Sequence, residues 1–452
     1  MILNVILGSL AALSLALTLW QWLIARRFPL HRRVGAPASL PDPRRSPREE
    51  ALPPSLQPSA LTPHPSVTLL KPVKGCDVAT EDCLRSWFEQ EYNGRVQVLF
   101  GVAAAEDPVC AIIQKLFQEY PASDAQLVVC GPLLGANAKV SKLVELERLA
   151  KHDILIISDA DVRVPPDCLA NVVLPLLDSG TGSAPAVCGL VCCFYRLANP
   201  STLAMEWEAV AVNADFWSQV LQSQSLKPID FALGAVMATR RNRVAEIGGF
   251  QALMDCLADD YQLGHRIARR GHRIALCPVV VECWSAPMDW SAVWKHQLRW
   301  ARTIRICQPL PYFFSILSNA TLWPLLWLII RPAAPVAACV LLCLLVRILT
   351  ALNLQRRLSQ PLTPGGRTSS RDQPSPENWD RGDAGLAATP VRVQPRHQAP
   401  QPLRQASWRY AWIIPLKDIL QTAIWLLAFL GNRIEWRGVR MRLRRDGILE
   451  RL

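Results

Sequence analysis

Long apolar runs stand at both ends of the chain, and short alternating blocks of apolar and polar residues lie between them. Residues 2–24 carry no charge and are long enough to cross a bilayer as one helix. Arg26, Arg27, Arg32 and Arg33 follow directly. A secretory signal carries its charge before the apolar run, so this order predicts an uncleaved anchor over 1–25 with residue 26 onward in the cytoplasm. Residues 26–66 are rich in Pro, Ser and Arg and read as a flexible tether. From Val67 the period changes. A strand at 67–70 leads to a helix from about Thr80 that buries Leu84, Trp87 and Phe88, and then to a strand over 96–102. A helix facing inward with Val109, Ile112, Ile113, Leu116 and Phe117 follows, then a strand at 126–129 and a helix ending near Ala150. Ile154-Leu155-Ile156-Ile157 is apolar on both faces, as the central strand of a parallel sheet is. Alternating β and α units predict an α/β domain over 67–310, with a mostly parallel sheet covered by helices on both faces. A further strand is expected at 186–194. Residues 203–221, with Trp207 and Trp217, fit either a helix on the membrane surface or ordinary core.

Two more apolar segments, 312–330 and 333–352, are broken at Arg331-Pro332 and predict a transmembrane hairpin over 311–354. Residues 355–408 are Pro-, Arg-, Gln- and Ser-rich, an expected disordered insertion. The last apolar segment, about 409–431, contains Pro415, Lys417 and Asp418, and charges are costly at bilayer depth. The basic stretch 433–445 favours the cytoplasm. Three full crossings after an outside N-terminus would put that stretch on the wrong side, so a C-terminal segment is re-entrant or interfacial, with 409–431 the candidate.

The net charge of +12 raises the question of nucleic acid. Its clearest Arg clusters lie beside apolar spans, which favours anionic lipid headgroups as partner and gives no expectation of nucleic-acid binding. Fourteen cysteines form no C-x-x-C pair and read as buried thiols, without disulfides or zinc.

The candidate chemistry begins where the 154–157 strand ends, at Ser158-Asp159-Ala160-Asp161. Ligands of open α/β sheets bind beyond the carboxyl ends of the strands. Hard cations such as Mg²⁺ or Mn²⁺ take carboxylate oxygens together with substrate phosphates there. Asp107, in Glu106-Asp107-Pro108, also has the position of a helix cap. The small residues of Gly234-Ala235-Val236 allow a close backbone approach.

Lys71-Pro-Val-Lys-Gly75, Glu106-Asp107-Pro108, Asn137-Ala-Lys139, Ser158-Asp-Ala-Asp161, Asp259-Asp260-Tyr261 and Arg299-Trp300 occur in this order and at these spacings. In that order the chain resembles the ceramide glucosyltransferases (the GT21-type family) and their bacterial relatives, including hopanoid-biosynthesis glycosyltransferases. The resemblance implies a GT-A, Rossmann-like catalytic domain flanked by N- and C-terminal transmembrane or interfacial helices. It also implies inverting transfer from a UDP-sugar to a lipid hydroxyl, with Mg²⁺ or Mn²⁺. Carried over by position, Asp107 lies near the nucleotide, Asp159 and Asp161 face the metal and diphosphate, and Asp260 is the catalytic base. Arg299 and Trp300 close the family's (Q/R)xxRW pattern, and Lys139 adds positive charge near the diphosphate. His296 stands where the family has Gln or Arg, and Gln297 is one place late.

Glucose transfer to ceramide and N-acetylglucosamine transfer to a hopanoid-type lipid both remain open. A product-extruding polysaccharide synthase needs more spans than this chain offers, and a non-catalytic basic scaffold with a transferase fold needs no intact acidic set. The expected location is multi-pass in a bacterial inner membrane, with the catalytic domain facing the cytoplasm.

Overall fold

A computed structural model describes residues 1–33, 64–177, 187–360, 411–436, 439–444 and 447–451. Most of the tether and nearly all of the insertion expected at 355–408 lie outside the described residues. In order, the helices are α1 (Ile2–Arg27), α2 (Thr80–Arg85), α3 (Val109–Glu119), α4 (Ala138–Leu149), α5 (Cys168–Leu177), α6 (Leu203–Val210) and α7 (Trp217–Leu226). They continue with α8 (Arg241–Glu246), α9 (Asp259–Arg269), α10 (Trp290–Cys307), α11 (Pro309–Phe314), α12 (Leu322–Ile330), α13 (Ala334–Leu358) and α14 (Ile413–Phe429). The strands are β1 (Val67–Pro72), β2 (Val96–Val102), β3 (Asp124–Val129), β4 (Ile154–Ser158), β5 (Val162–Arg163), β6 (Cys188–Leu197), β7 (Val236–Arg240) and β8 (Arg273–Cys283). The C-terminal strands are β9 (Arg433–Trp436), β10 (Val439–Leu443) and β11 (Leu449–Arg451).

The large sheet runs β3-β2-β1-β4-β7-β6-β8-β5. Neighbours among β1 to β4 are parallel, as are β6 and β8, while β7 lies antiparallel between β4 and β6. This is the expected GT-A-type, mostly parallel α/β architecture. From β1 the chain winds outward to β2 and β3, then returns to place β4 on the other side of β1. That reversal is a topological switch point, and the crevice outside it is where α/β sheets bind ligands. One apolar core lies on each face of the sheet. Trp207 and Trp217 are fully buried in one of them, so the core reading of 203–221 holds. Between α6 and α7 the helix widens to a π-turn over 211–216, a feature that recurs at functional sites.

Helices α1 and α13 are long and apolar enough to cross a membrane. The segment 309–330 contains a break the hydropathy pattern does not reveal: it bends by 54° between Pro309–Ser318 and Leu322–Ile330. Trp327 donates to Asn4 (2.8 Å), and Arg357 donates to the Arg26 carbonyl (3.2 Å). The 309–330 pair therefore runs away from the catalytic domain along α1, and α13 runs back. The costly charges of α14 are fully paired: Arg347 of α13 makes two hydrogen bonds to Asp418 (2.9 and 2.8 Å) and one to Asp215 (2.9 Å), and Lys417 contacts both acids. Two cations against two carboxylates make burial tolerable.

The basic C-terminal stretch is folded rather than a loose tail. Its period-2 apolar positions Ile434, Met441, Leu443 and Leu449 pack around Leu257, and Leu449 N donates to the Asp255 carbonyl (2.7 Å). That packing places β9–β11 against the loop that leads into α9.

Candidate active site

Lys71 sits on β1 beside the switch point and is completely buried. Its ammonium crosses to β4 and donates to the Asp159 carbonyl (2.5 Å) and Ser158 Oγ (3.2 Å), with the Trp87 ring 5.2 Å away. Burial pulls this lysine down to about 8, against the pull of Cys83, Asp161 and Asp159. It thus fixes the backbone that presents the two aspartates. Lys71 was legible only as part of a motif, because a strand lysine gives no sequence sign of pointing inward.

Asn137 sets the second wall. Its Oδ1 accepts from the backbone N–H groups of Lys139 (3.0 Å) and Val140 (3.2 Å), capping α4. Its Nδ2 donates to the Cys256 carbonyl (2.8 Å) and to Asp259 (3.3 Å). Held in the first turn of α4, Lys139 bridges Asp159 Oδ1 (2.7 Å) and Asp259 Oδ2 (3.0 Å). Burial alone would lower its pKa, but Asp159, Asp259 and Asp260 together raise it. Lys139 is therefore a buried counterion, not a solvated loop residue, and it joins acids a hundred residues apart. Asp259, quoted only as Asp260's neighbour, supplies half of the bridge.

Asp260 lies in the first turn of α9, with Oδ1 accepting from the Tyr261 N–H (2.8 Å). The other oxygen lies against Gly234: a Cβ there would come within 2.7 Å of Asp260 Oδ2 and 3.1 Å of its Cβ. Gly234 thus makes room for the carboxylate itself. Burial first, and the Asp259 charge second, push the Asp260 carboxyl up to about 6, against the opposing charge of Lys139. Asp161 also rises to about 6, by burial and the charge of Asp159. It keeps an exposed surface even though protein crowds it closely.

Asp107 stands after β2 on the same edge of the sheet. It receives the Gly75 N–H on both oxygens (2.9 and 3.0 Å) and the Val109 N–H (3.1 Å). It therefore caps α3 and also pins the loop after β1.

The terminal motif lies on α10. His296 Nδ1 and Gln297 Nε2 both reach Glu208 Oε1 of α6, at 2.7 and 2.8 Å. Glu208 is 1 % exposed and was not singled out by any sequence pattern. His296 also packs on Trp300, ring centroids 4.6 Å apart, and Trp300 lines an open cleft next to the apolar helices. Arg299 shares this helix.

The residues Asp159 and Asp161 fit a hard divalent cation: they offer carboxylate oxygens, and Asp161 carries repulsion from Asp159 that a cation relieves. Among the described residues no group of three or more His, Cys, Asp or Glu side chains forms a ready metal cluster. A cation held by these two carboxylates would leave coordination positions for water or substrate oxygens.

The sequence model described as "Glycosyl transferase family 21" matches residues 44–365 and 388–449. A ceramide glucosyltransferase from Candida albicans is 36% identical over 121 residues, 24% of this chain and 22% of that protein. Ceramide glucosyltransferase 3 from Caenorhabditis elegans is 22% identical over 214 residues, 47% of this chain and 44% of that protein. The chain thus spans less than half the length of either relative. Among solved structures, the mannosyltransferase PcManGT from Pyrobaculum calidifontis, in complex with GDP-Man and Mn2+, is 22% identical. The match covers 79% of this chain and 96% of that one, with a TM-score of 0.49.

Proposed function

Since the chain belongs to glycosyl transferase family 21, we propose that it is an inverting glycosyltransferase that moves a sugar from a UDP-sugar to a lipid hydroxyl at the membrane surface. The observation that carries this reading is the bridge of Lys139 between Asp159 and Asp259, beside Asp260, at the carboxyl edge of the sheet. Acids from β4 and α9 meet there on one side of the switch point, the place for a nucleotide diphosphate.

In the proposed reaction Asp260 accepts the proton of the acceptor hydroxyl as that oxygen attacks the anomeric carbon and the bond to the diphosphate breaks. A carboxyl held near 6 is ionised at neutral pH yet basic enough to take that proton. Asp159 and Asp161 are the residues to hold the divalent ion. When bound, that ion neutralises charge on the leaving diphosphate. Lys139 adds fixed positive charge beside Asp159, and Arg299, taken from the family motif, is the second cation proposed for the diphosphate. Asp107, by pinning Gly75, shapes the loop against which the nucleotide packs.

The relatives named above make ceramide the first acceptor to test, with a hopanoid-type lipid second. Three crossings, by α1, the bent 309–330 segment and α13, with α14 in the interface, put the catalytic domain and β9–β11 together on the cytoplasmic side.

Membranes holding the full-length protein, given labelled UDP-sugars and either lipid, should form a glycolipid. Chelation of divalent cations should stop its formation, and Mn²⁺ or Mg²⁺ should restore it. Absence of product from every donor with both acceptors refutes the proposal.

A further inference from the structure

After β10 the chain reverses at Gly447, whose φ of 82° suits glycine. Arg444 N donates to the Ile448 carbonyl (2.9 Å) and Gly447 N to the Arg444 carbonyl (3.1 Å), so β11 returns along β10. The same reversal brings 447–449 against a second partner, the loop 254–257 that leads into α9. Leu449 N donates to the Asp255 carbonyl (2.7 Å) and Leu257 N to the Gly447 carbonyl (3.2 Å), which sets Cys256 opposite Ile448 as an antiparallel pair.

The other side of that loop meets the start of α4. Asn137 N donates to the Met254 carbonyl (2.7 Å), Ala136 N to Asp255 Oδ1 (2.8 Å) and Asn137 Nδ2 to the Cys256 carbonyl (2.8 Å). The two segments approach so closely that a Cβ on Gly135 would come within 2.6 Å of Met254 Cβ. The loop is therefore a middle layer, bonded to the C-terminal ribbon on one side and to 135–137 on the other.

We propose that the β9–β11 ribbon is a positioning strap for the acidic site: by holding 254–257 against the start of α4, it keeps Asp259 and Asp260 in register with Lys139. The inference rests on the transferase reading above and adds to it the element that sets the geometry of the site. Both inner layers end on that site. Asn137 caps the helix that carries Lys139, and Ala258 alone separates the loop from Asp259 and Asp260. A shift of the loop moves these acids relative to Lys139, and a buried ion pair offsets its desolvation only in good geometry. The ribbon is placed to prevent that shift. Its apolar residues pack around Leu257, and α10 holds its start, with Arg302 donating to the Arg433 carbonyl and Arg305 to Asn432.

Hydrogen exchange, followed by mass spectrometry on full-length protein in phosphatidylcholine nanodiscs, reads this relay without substrate. Leu449→Pro removes the N–H that binds Asp255 and should speed exchange of the amides at 136–140 at least about 2-fold, the smallest worth of one neutral hydrogen bond. Gly135→Ala leaves the ribbon's sequence intact, presses on the loop from the opposite side and should speed exchange at 447–449. Ile448→Cys places a thiol opposite Cys256, in a type of antiparallel pair whose Cα atoms lie about 4.5 Å apart, within reach of a disulfide. Oxidation should slow exchange at 136–140, and reduction should reverse it. With Leu449→Pro added, oxidation should restore both that protection and glycolipid formation, which the proline alone should lower at least about 2-fold.

Faster exchange confined to 255–257 and the ribbon in Leu449→Pro, or exchange at 136–140 that ignores the disulfide, overturns the inference, because the ribbon then only covers the loop. The expected exchange pattern with no glycolipid formed from any donor upholds the strap and sinks the transferase reading. Glycolipid formation by Leu449→Pro at the parent's rate does the reverse.

Discussion

Replacing Lys139 by methionine tests the electrostatic centre of the site. Met has nearly the same length and no charge, so the change isolates the cation. At 3.0 Å and an effective dielectric of about 20, attraction between Lys139 and Asp259 is roughly 5 kcal/mol before desolvation. Asp159 is 39 % exposed, so its share counts as that of a surface pair, about 0–1 kcal/mol. Allowing for the desolvation that methionine avoids, the expected destabilisation is about 3 kcal/mol, the low end of the range for breaking a buried pair. Against a typical total of about 5–15 kcal/mol this is a large loss, readable by tryptophan fluorescence during thermal unfolding in detergent.

A second readout separates electrostatics from general damage. The Lys139 charge holds the Asp260 carboxyl down, so without it Asp260 ionises at a higher pH. The acidic limb of transferase activity should therefore move above its starting value near 6. Adding Asp259→Asn should return the limb toward its original place and recover part of the stability. An unchanged midpoint together with an unchanged limb in Lys139→Met would refute the idea that this lysine is the counterion of the acidic cluster.

Asp260→Asn should reduce turnover by at least about 100-fold and abolish the acidic limb. Because the folded pKa of Asp260 is raised, its stabilising share is present below about 4 and lost as pH rises through about 6. The Asn variant should therefore unfold at a higher temperature than the parent at pH 8. Gly234→Ala should fold and yet lose most activity, since the added methyl displaces the Asp260 side chain; full activity would show that the carboxylate has room to shift. His296→Gln keeps a donor for Glu208 and should hold activity within about threefold, whereas Glu208→Ala leaves His296 and Gln297 without their shared acceptor and should lower the midpoint.

The parallel half of the fold was legible because β4 opens on an unbroken apolar run, Ile154–Ile157, and β1 and β2 are mostly apolar, as strands buried on both faces are. The aspartates were legible because chain order fixed which strand ends they occupy. Their electrostatic centre was not: nothing in Asn137-Ala-Lys139 says that its lysine turns inward to meet an acid 120 residues later. The pairing of Lys417 and Asp418 was hidden for the same reason, since Arg347 and Asp215 lie far away in the chain. The antiparallel β7, the bend in 309–330 and the packing of β9–β11 depend on such distant partners. His296, where this chain departs from the family pattern, makes a hydrogen bond to Glu208, which lies far away in the chain.

Helix α1 is made well before the partners that complete it. Gln21 of α1 pairs with Gln222 (2.8 Å), Trp22 with Asn353 (3.0 Å) and Asn4 with Trp327. During synthesis these side chains wait for partners 200 to more than 300 residues downstream, and the catalytic domain is translated onto an unfinished platform. Exchanging α1 for an unrelated anchor would deliver the chain to the membrane but leave that platform unassembled.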